Sequence, residues 1–156
     1  MGDNCIGDIN PKYHTLGGKI RNIRRLKGIS AKEIGSAIGV NDTAIRNYEL
    51  GFRTPKKEKV NGIAEILSVN PCALYERNLY SGLDFLHILF EIEEDFHISP
   101  YQVKDSIYLQ VKDNDVFNSA LLSWLNQREK FLKGEITKEE YDIWKYSYGN
   151  THGENN

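Results

Sequence analysis

Apolar residues recur every three or four positions along most of the chain, a spacing that predicts a mainly helical protein. In the N-terminal half, this spacing and the capping signals between the apolar runs predict five short helices. We expect these helices at Leu16 to Lys27, Ser30 to Ile38, Asn41 to Leu50, Thr54 to Leu67 and Asn70 to Tyr75.

The second and third helices are separated by only a few residues, and those residues have the properties of a tight turn. Ser30 and Glu33 form a capping box at the start of the second helix. Gly39 can adopt the left-handed backbone that stops this helix, Val40 can fill the corner, and Asn41 can cap the third helix. We expect the inward residues of the second helix to be Ile34, Ala37 and Ile38.

The C-terminal half mixes helical and strand patterns. It predicts a helix from Leu83 to Phe96, a β-hairpin from Ile98 to Lys112, a helix from Phe117 to Lys133, and a last helix after the Thr137-x-x-Glu140 capping box. The apolar stripe of the first of these helices is wider than one contact face requires. It can form a dimer interface or fill the core of its own small domain.

These patterns divide the chain into four parts. We predict a mobile leader at 1–15, a five-helix domain at 16–79, a small α+β domain of helix, hairpin and two helices at 80–148, and a disordered tail at 149–156.

Charge separates the two halves, although the net charge of the chain is only −2. Residues 1–79 hold 13 Lys and Arg against 8 Asp and Glu, or +5, and residues 80–156 hold 7 against 14, or −7. A basic unit joined to an acidic one suggests a polyanion-binding head and a part that stays away from the polyanion.

Few other kinds of chemistry are indicated. Cys5 and Cys72 lie far apart and the four histidines are scattered, so no metal or cofactor is implied. The N-terminal residues do not resemble a secretory signal, and no apolar run approaches the ~20 residues of a membrane span. We therefore expect a cytoplasmic protein.

The run GGKIRNIRRLKGISAKEIGSAIGVNDTAIRNYELGFRTP resembles the helix-turn-helix family of the phage lambda and 434 repressors and Cro, often called the XRE family. The resemblance extends over about residues 16–75 and implies a five-helix, lambda-repressor-like DNA-binding domain. Its anchors occur in family order: Ile20, Ile23, Arg24, Gly28, Ser30, Glu33, Ile34, Gly39, Val40, Ile45, Tyr48, Glu49, Gly51, Arg53 and Pro55.

The resemblance implies that the third helix is the recognition helix and that Asp42, Thr43 and Asn47 contact bases. The Asn47 amide matches adenine, and Thr43 can offer its hydroxyl or its methyl group. Asn41 and Arg46 are expected to reach bases or phosphates. For Thr43 and Asn47, an exposed, solvated helix face is the alternative.

Two positions in this region are less clear. Asp42 can accept from cytosine, but it can equally favour the helix dipole and pair with Arg46 four residues on. Ala31 departs from the family, which commonly has a DNA-contacting glutamine there.

The resemblance also implies backbone contacts and one structural pair. Arg24 and Glu49 match a pair that bridges the first and third helices, with phosphate contact as the alternative role of Arg24. The expected phosphate contacts are Ser30, Lys32, Arg53, Thr54, Lys56 and Lys57.

We expect a sequence-specific transcriptional regulator, a repressor that binds a two-fold operator on double-stranded DNA as a homodimer. The alternative is an antitoxin-type interaction protein that regulates its own promoter through the same head. The C-terminal domain can also take a protein or small-molecule effector. We do not expect an enzyme, because the acidic run Glu91 to Asp95 has no nucleophile or phosphate-binding loop beside it.

Overall fold

A computed structural model describes residues 14–77 and 81–150. The described residues divide into two compact units, one of residues 14–77 with 137–150 and one of residues 81–136. We call the described residues of the first, 14–77 and 137–150, the head unit, and those of the second, 81–136, the insert unit. Helices predominate, as the sequence predicts: the described residues form eight helices and one two-stranded antiparallel sheet.

The head unit contains the five predicted N-terminal helices and the last helix of the described residues. They are α1 (Leu16–Leu26), α2 (Ala31–Ile38), α3 (Asp42–Glu49), α4 (Lys57–Ile66), α5 (Pro71–Leu74) and α8 (Lys138–Ser147). Their apolar faces meet in one core, whose fully buried large side chains are Ile20, Ile23, Ile34, Ile45, Ile63, Leu67, Leu74 and Val69.

Two details of the head differ from the sequence prediction. Helix α4 begins at Lys57, three residues after the predicted start, because Thr54 and Pro55 belong to the extended loop and Pro55 is buried. Ala37 is exposed rather than inward, whereas Ala31 is buried. Ala31 and Ile34, three positions apart, therefore lie on the inner face of α2, and Ala37 does not.

Helix α8 completes the head unit, although the sequence-based division placed it in a separate C-terminal domain. Tyr146 packs against the head core, and the Asn22 amide donates to its hydroxyl at 3.1 Å. The backbone N–H of Asn70 donates to the Tyr146 carbonyl at 3.0 Å. The structure thus groups residues 137–150 with the helix-turn-helix region.

Both predicted terminal segments lie largely outside the described residues, and their described residues make specific contacts. Thr15 of the predicted leader caps α1 through its side chain. Gly149 of the predicted tail accepts a hydrogen bond from the Asn70 amide at 3.0 Å. Residues 1–13 and 151–156 are not among the described residues.

The insert unit contains α6 (Gly82–Phe96), β1 (Ile98–Val103), β2 (Ser106–Val111) and α7 (Asp115–Leu132). The two strands pair antiparallel, from Ile98 opposite Val111 to Val103 opposite Ser106. The predicted hairpin is therefore confirmed. Among residues 81–136, all of which the structure describes, only Ile98 is buried.

No helix of the described residues is both long and apolar enough to cross a membrane.

Candidate nucleic-acid interface

The turn between α2 and α3 has the geometry that the sequence predicts. The capping box at Ser30 and Glu33 is complete, and Gly39 ends α2 with a φ of 69°. The N–H of Val40 then donates to the Gly35 carbonyl at 2.8 Å, and the Asn41 side chain caps α3. These bonds hold the two helices at a fixed angle.

Gly35 is a positioning residue that the sequence reasoning did not single out. A Cβ atom there would lie 2.7 Å from the Val40 carbonyl oxygen, so no larger residue fits without a backbone shift. The turn folds back over α2 at this point. A glycine between the helical positions Ile34 and Ala37 was the signal available in the sequence.

The predicted base-contacting residues lie on the outer side of α3. Asp42, Thr43 and Arg46 are exposed, Asn47 is half-buried, and Ile45 on the opposite side is fully buried in the core. Arg46 and Asn47 lie three and four positions after Thr43, so both are its neighbours on the helix surface. The structure brings these candidates together, and their contacts with bases stay a prediction.

Asp42 and Arg46 form an ion pair at 3.7 Å in which both side chains are largely exposed. An exposed pair of this kind is worth well under 1 kcal/mol, so either residue can exchange its partner for a ligand at little cost. Asn41 has one fixed role, because its side-chain oxygen Oδ1 accepts from the Ala44 N–H at 2.8 Å. Asn41 as a whole is exposed.

Arg24 and Glu49 bridge α1 and α3. The Arg24 Nε and Nη2 atoms donate to the two carboxylate oxygens of Glu49 at 2.5 and 3.2 Å, and Nη1 donates to the Ile29 carbonyl at 3.0 Å. The hydrogen bond to Glu49 raises the pKa of Arg24 above its ordinary value. All three guanidinium nitrogens are engaged, which favours the structural interpretation over phosphate contact.

The predicted phosphate-contacting residues are all exposed and occupy two places. Ser30 and Lys32 lie at the N-terminus of α2, and Arg53, Thr54, Lys56 and Lys57 lie between α3 and the first turn of α4. Helix α4 has no side-chain cap hydrogen bond, so its first N–H groups have no side-chain acceptor at the N-cap. These positions are compatible with contacts to the phosphates of the DNA backbone, and such contacts stay a prediction.

A cleft of about 650 Å³ opens on the same unit, beside the C-terminal end of α3. Its lining residues come from α1 and its N-cap, from the end of α3 and the loop after it, and from Glu76. Two arginines of α1, Arg21 and Arg25, line this cleft and were not among the sequence-based candidates. Their signal in the sequence was a spacing of four on a helix rich in basic residues.

Residues 14–77 thus fold as a helix-turn-helix domain, with an exposed α3 and basic residues at its margins. Residues 20–74 match the family model described as "Helix-turn-helix", which confirms the resemblance drawn from the sequence over that segment.

Among solved structures, the chain is similar to the P22 c2 repressor protein in complex with synthetic operator 9T in the presence of Tl⁺. The identity is 27%, the match covers 38% of this chain and 91% of that chain, and the TM-score is 0.37. No curated protein matches the chain.

Proposed function

We propose that this chain is a transcriptional regulator that binds duplex DNA sequence-specifically in the cytoplasm and acts as a homodimeric repressor. The observation that carries the proposal is the outer face of α3, where Thr43, Arg46 and Asn47 lie together on a helix fixed by the core. An α-helix fits the major groove, where side chains of these types can distinguish base pairs.

The surroundings of α3 support the same function. Exposed Lys, Arg, Ser and Thr side chains occur at the α2 N-terminus and in the loop before α4, on both sides of the turn. Phosphate contacts at these margins would set the register of α3 on the duplex, and base contacts would supply the specificity.

The experiment is a selection of binding sites from random duplex DNA with the full-length chain. The selected site then serves to compare Asn47→Ala with wild type. If Asn47 reads a base, the variant loses about 1 to 3 kcal/mol on the selected site and tolerates other bases at one position in each half-site.

Two controls accompany this measurement. Asn126→Ala changes an exposed asparagine on α7, outside the head unit, and should leave binding unchanged. Lys57→Ala should weaken selected and random DNA alike and reduce the salt slope by about one unit. An equal loss by Asn47→Ala on both DNAs would assign it to positioning, and no duplex binding by wild type would refute the function.

The homodimer part of the proposal rests on the apolar surface of the insert unit. Fourteen large hydrophobic residues between Leu83 and Leu132 are at least one-third exposed, whereas only Ile98 is buried there. At roughly 100 Å² each, about half of an aromatic side chain's area, they exceed the ~800 Å² per partner of an ordinary stable interface. No residue of α6 is buried, which favours the interface over a separate core.

A second copy is the partner we propose, because two recognition helices about 34 Å apart would read a two-fold site. Light scattering of the full-length chain should give a dimer mass. The double variant Leu89→Asp, Phe90→Asp should shift it to monomer, and Phe52→Asp, which places one charge at an exposed phenylalanine of the head, should not. A folded double variant that stays dimeric would remove α6 from the interface.

A further inference from the structure

The cleft beside α3 is lined by three arginines from two different parts of the head unit. Arg21 and Arg25 come from α1, and Arg53 comes from the loop after α3. Among the described residues, none of the three guanidinium groups has a hydrogen-bond or ion-pair partner. This distinguishes them from Arg24, whose three nitrogens are all engaged.

The acidic residues at the cleft do not cancel this charge. Glu49 lines the cleft, but its carboxylate is already paired with Arg24. Glu76 is the other acidic lining residue. Three arginines therefore face one carboxylate that is not neutralised, and the cleft has a net positive charge. An anion with several oxygens spread along the cleft would match this arrangement.

The cleft is continuous with the surface that we assign to base reading. Thr43, Asn47 and Leu50 lie at i, i+4 and i+7 of α3, so they form one stripe along its outer side. Leu50, at the C-terminal end of this stripe, is 55% exposed and is itself a lining residue of the cleft. Arg53 and Thr54 continue the same wall.

We infer that this cleft binds backbone phosphates of the DNA strand that passes the C-terminal end of α3, with Arg21 and Arg25 as contact residues on α1. The inference rests on the proposed function and extends it. A helix in the major groove is bordered by a backbone on each side, and one of these backbones lies where the α3 stripe ends. Guanidinium groups bind phosphate oxygens through paired N–H donors.

The test compares three forms of the full-length chain on the selected site and on random duplex. The first is wild type and the second is Arg21→Gln, Arg25→Gln. The third, Arg128→Gln, Lys130→Gln, removes the same charge from exposed residues of α7. Affinity is measured over a range of salt concentrations, and thermal melting checks that each variant is folded. Arg21 and Arg25 are not core residues, so the cleft variant should melt like wild type.

The expected result is a loss of at least about tenfold in affinity for the cleft variant on both DNAs, because charge-assisted contacts are lost without loss of base reading. Its salt slope should become shallower by about 0.9 for each phosphate contact removed. Phosphate ethylation interference should also disappear at one or two positions in each half-site. The α7 variant should change none of these.

Several outcomes would overturn the inference while leaving the proposed function intact. One is a cleft variant with the affinity and salt slope of wild type on a site that wild type binds. Another is an equal loss by the α7 variant, which would indicate an effect of net charge alone. Failure of wild type to bind any duplex would instead remove the proposed function, and the inference with it.

Discussion

The packing of Tyr146 against the head core leads to a stability prediction for a residue far outside the matched segment 20–74. Tyr146→Ala should destabilise the head unit by about 2 kcal/mol, roughly half the cost of removing a fully buried aromatic ring, because Tyr146 is half-buried. Tyr146→Phe keeps the ring and loses only the hydrogen bond from Asn22, so it should cost about 1 kcal/mol.

Deleting the whole segment from Thr137 onward should cost more than either substitution. It removes the Tyr146 ring and also the bonds from Asn70 to the carbonyls of Tyr146, Tyr148 and Gly149. At about 1 kcal/mol for each bond, added to the ring, the loss approaches 5 kcal/mol. A domain of this size has about 5 to 15 kcal/mol in total, so the truncated head should be marginal at 37 °C.

Urea denaturation of the full-length variants, followed by circular dichroism, measures these differences. Tyr148→Ala is the matched control, because Tyr148 is an exposed tyrosine two positions away whose backbone bond to Asn70 the substitution preserves. The reasoning is refuted if Tyr146→Ala and Tyr148→Ala unfold at the same urea concentration. It is equally refuted if the chain ending at Ile136 is as stable as the full chain.

Three further predictions concern the remaining head contacts. Glu49→Ala should lower the free energy of unfolding by about 2 kcal/mol, because it leaves the largely buried Arg24 guanidinium without its carboxylate. A variant that unfolds at the same urea concentration as wild type would contradict this. Gly17→Ala should cost at least about 2 kcal/mol, since its Cβ would lie 2.2 Å from the Tyr48 carbonyl oxygen; unchanged thermal melting would show that α1 shifts freely. Hydrogen bonds from Ser30 lower the pKa of Glu33. The ionised Glu33 carboxylate therefore stabilises the folded state above the unfolded-state pKa, and this stabilisation is lost as the pH falls through the folded-state pKa. The melting temperature of Glu33→Gln should therefore fall less between pH 7 and pH 3 than that of wild type, and parallel pH profiles would disprove this role.

Local signals in the sequence were sufficient to predict most elements. The capping boxes at Ser30, Ser81 and Thr137 all exist in the structure, and two of them were predicted. Each depends on residues only three positions apart, so the amino-acid pattern contains the whole interaction. The start of α4 was less predictable, because a proline favours both a first helical turn and an extended loop.

Long-range packing could not be predicted in the same way. The apolar residues of α8 indicate a buried face but do not indicate which surface buries it. The partners of Tyr146 are Asn22 and Asn70, which lie 124 and 76 positions away and carry no pattern linking them to it. The Arg21 and Arg25 cleft was missed for the same reason, since its opposite wall comes from another part of the chain.

The attachment of α8 to the head has a consequence for how this protein forms during its synthesis. The ribosome releases the N-terminal helices first, but the segment that completes their packing is made only after the insert unit, some 60 residues later. At 5 to 20 residues per second, the unfinished head must wait for several seconds with the surface that receives Tyr146 uncovered. A newly made chain is therefore most accessible to proteases and chaperones during this interval. The interval ends when the ribosome releases α8, which can then pack on the rest of the head unit.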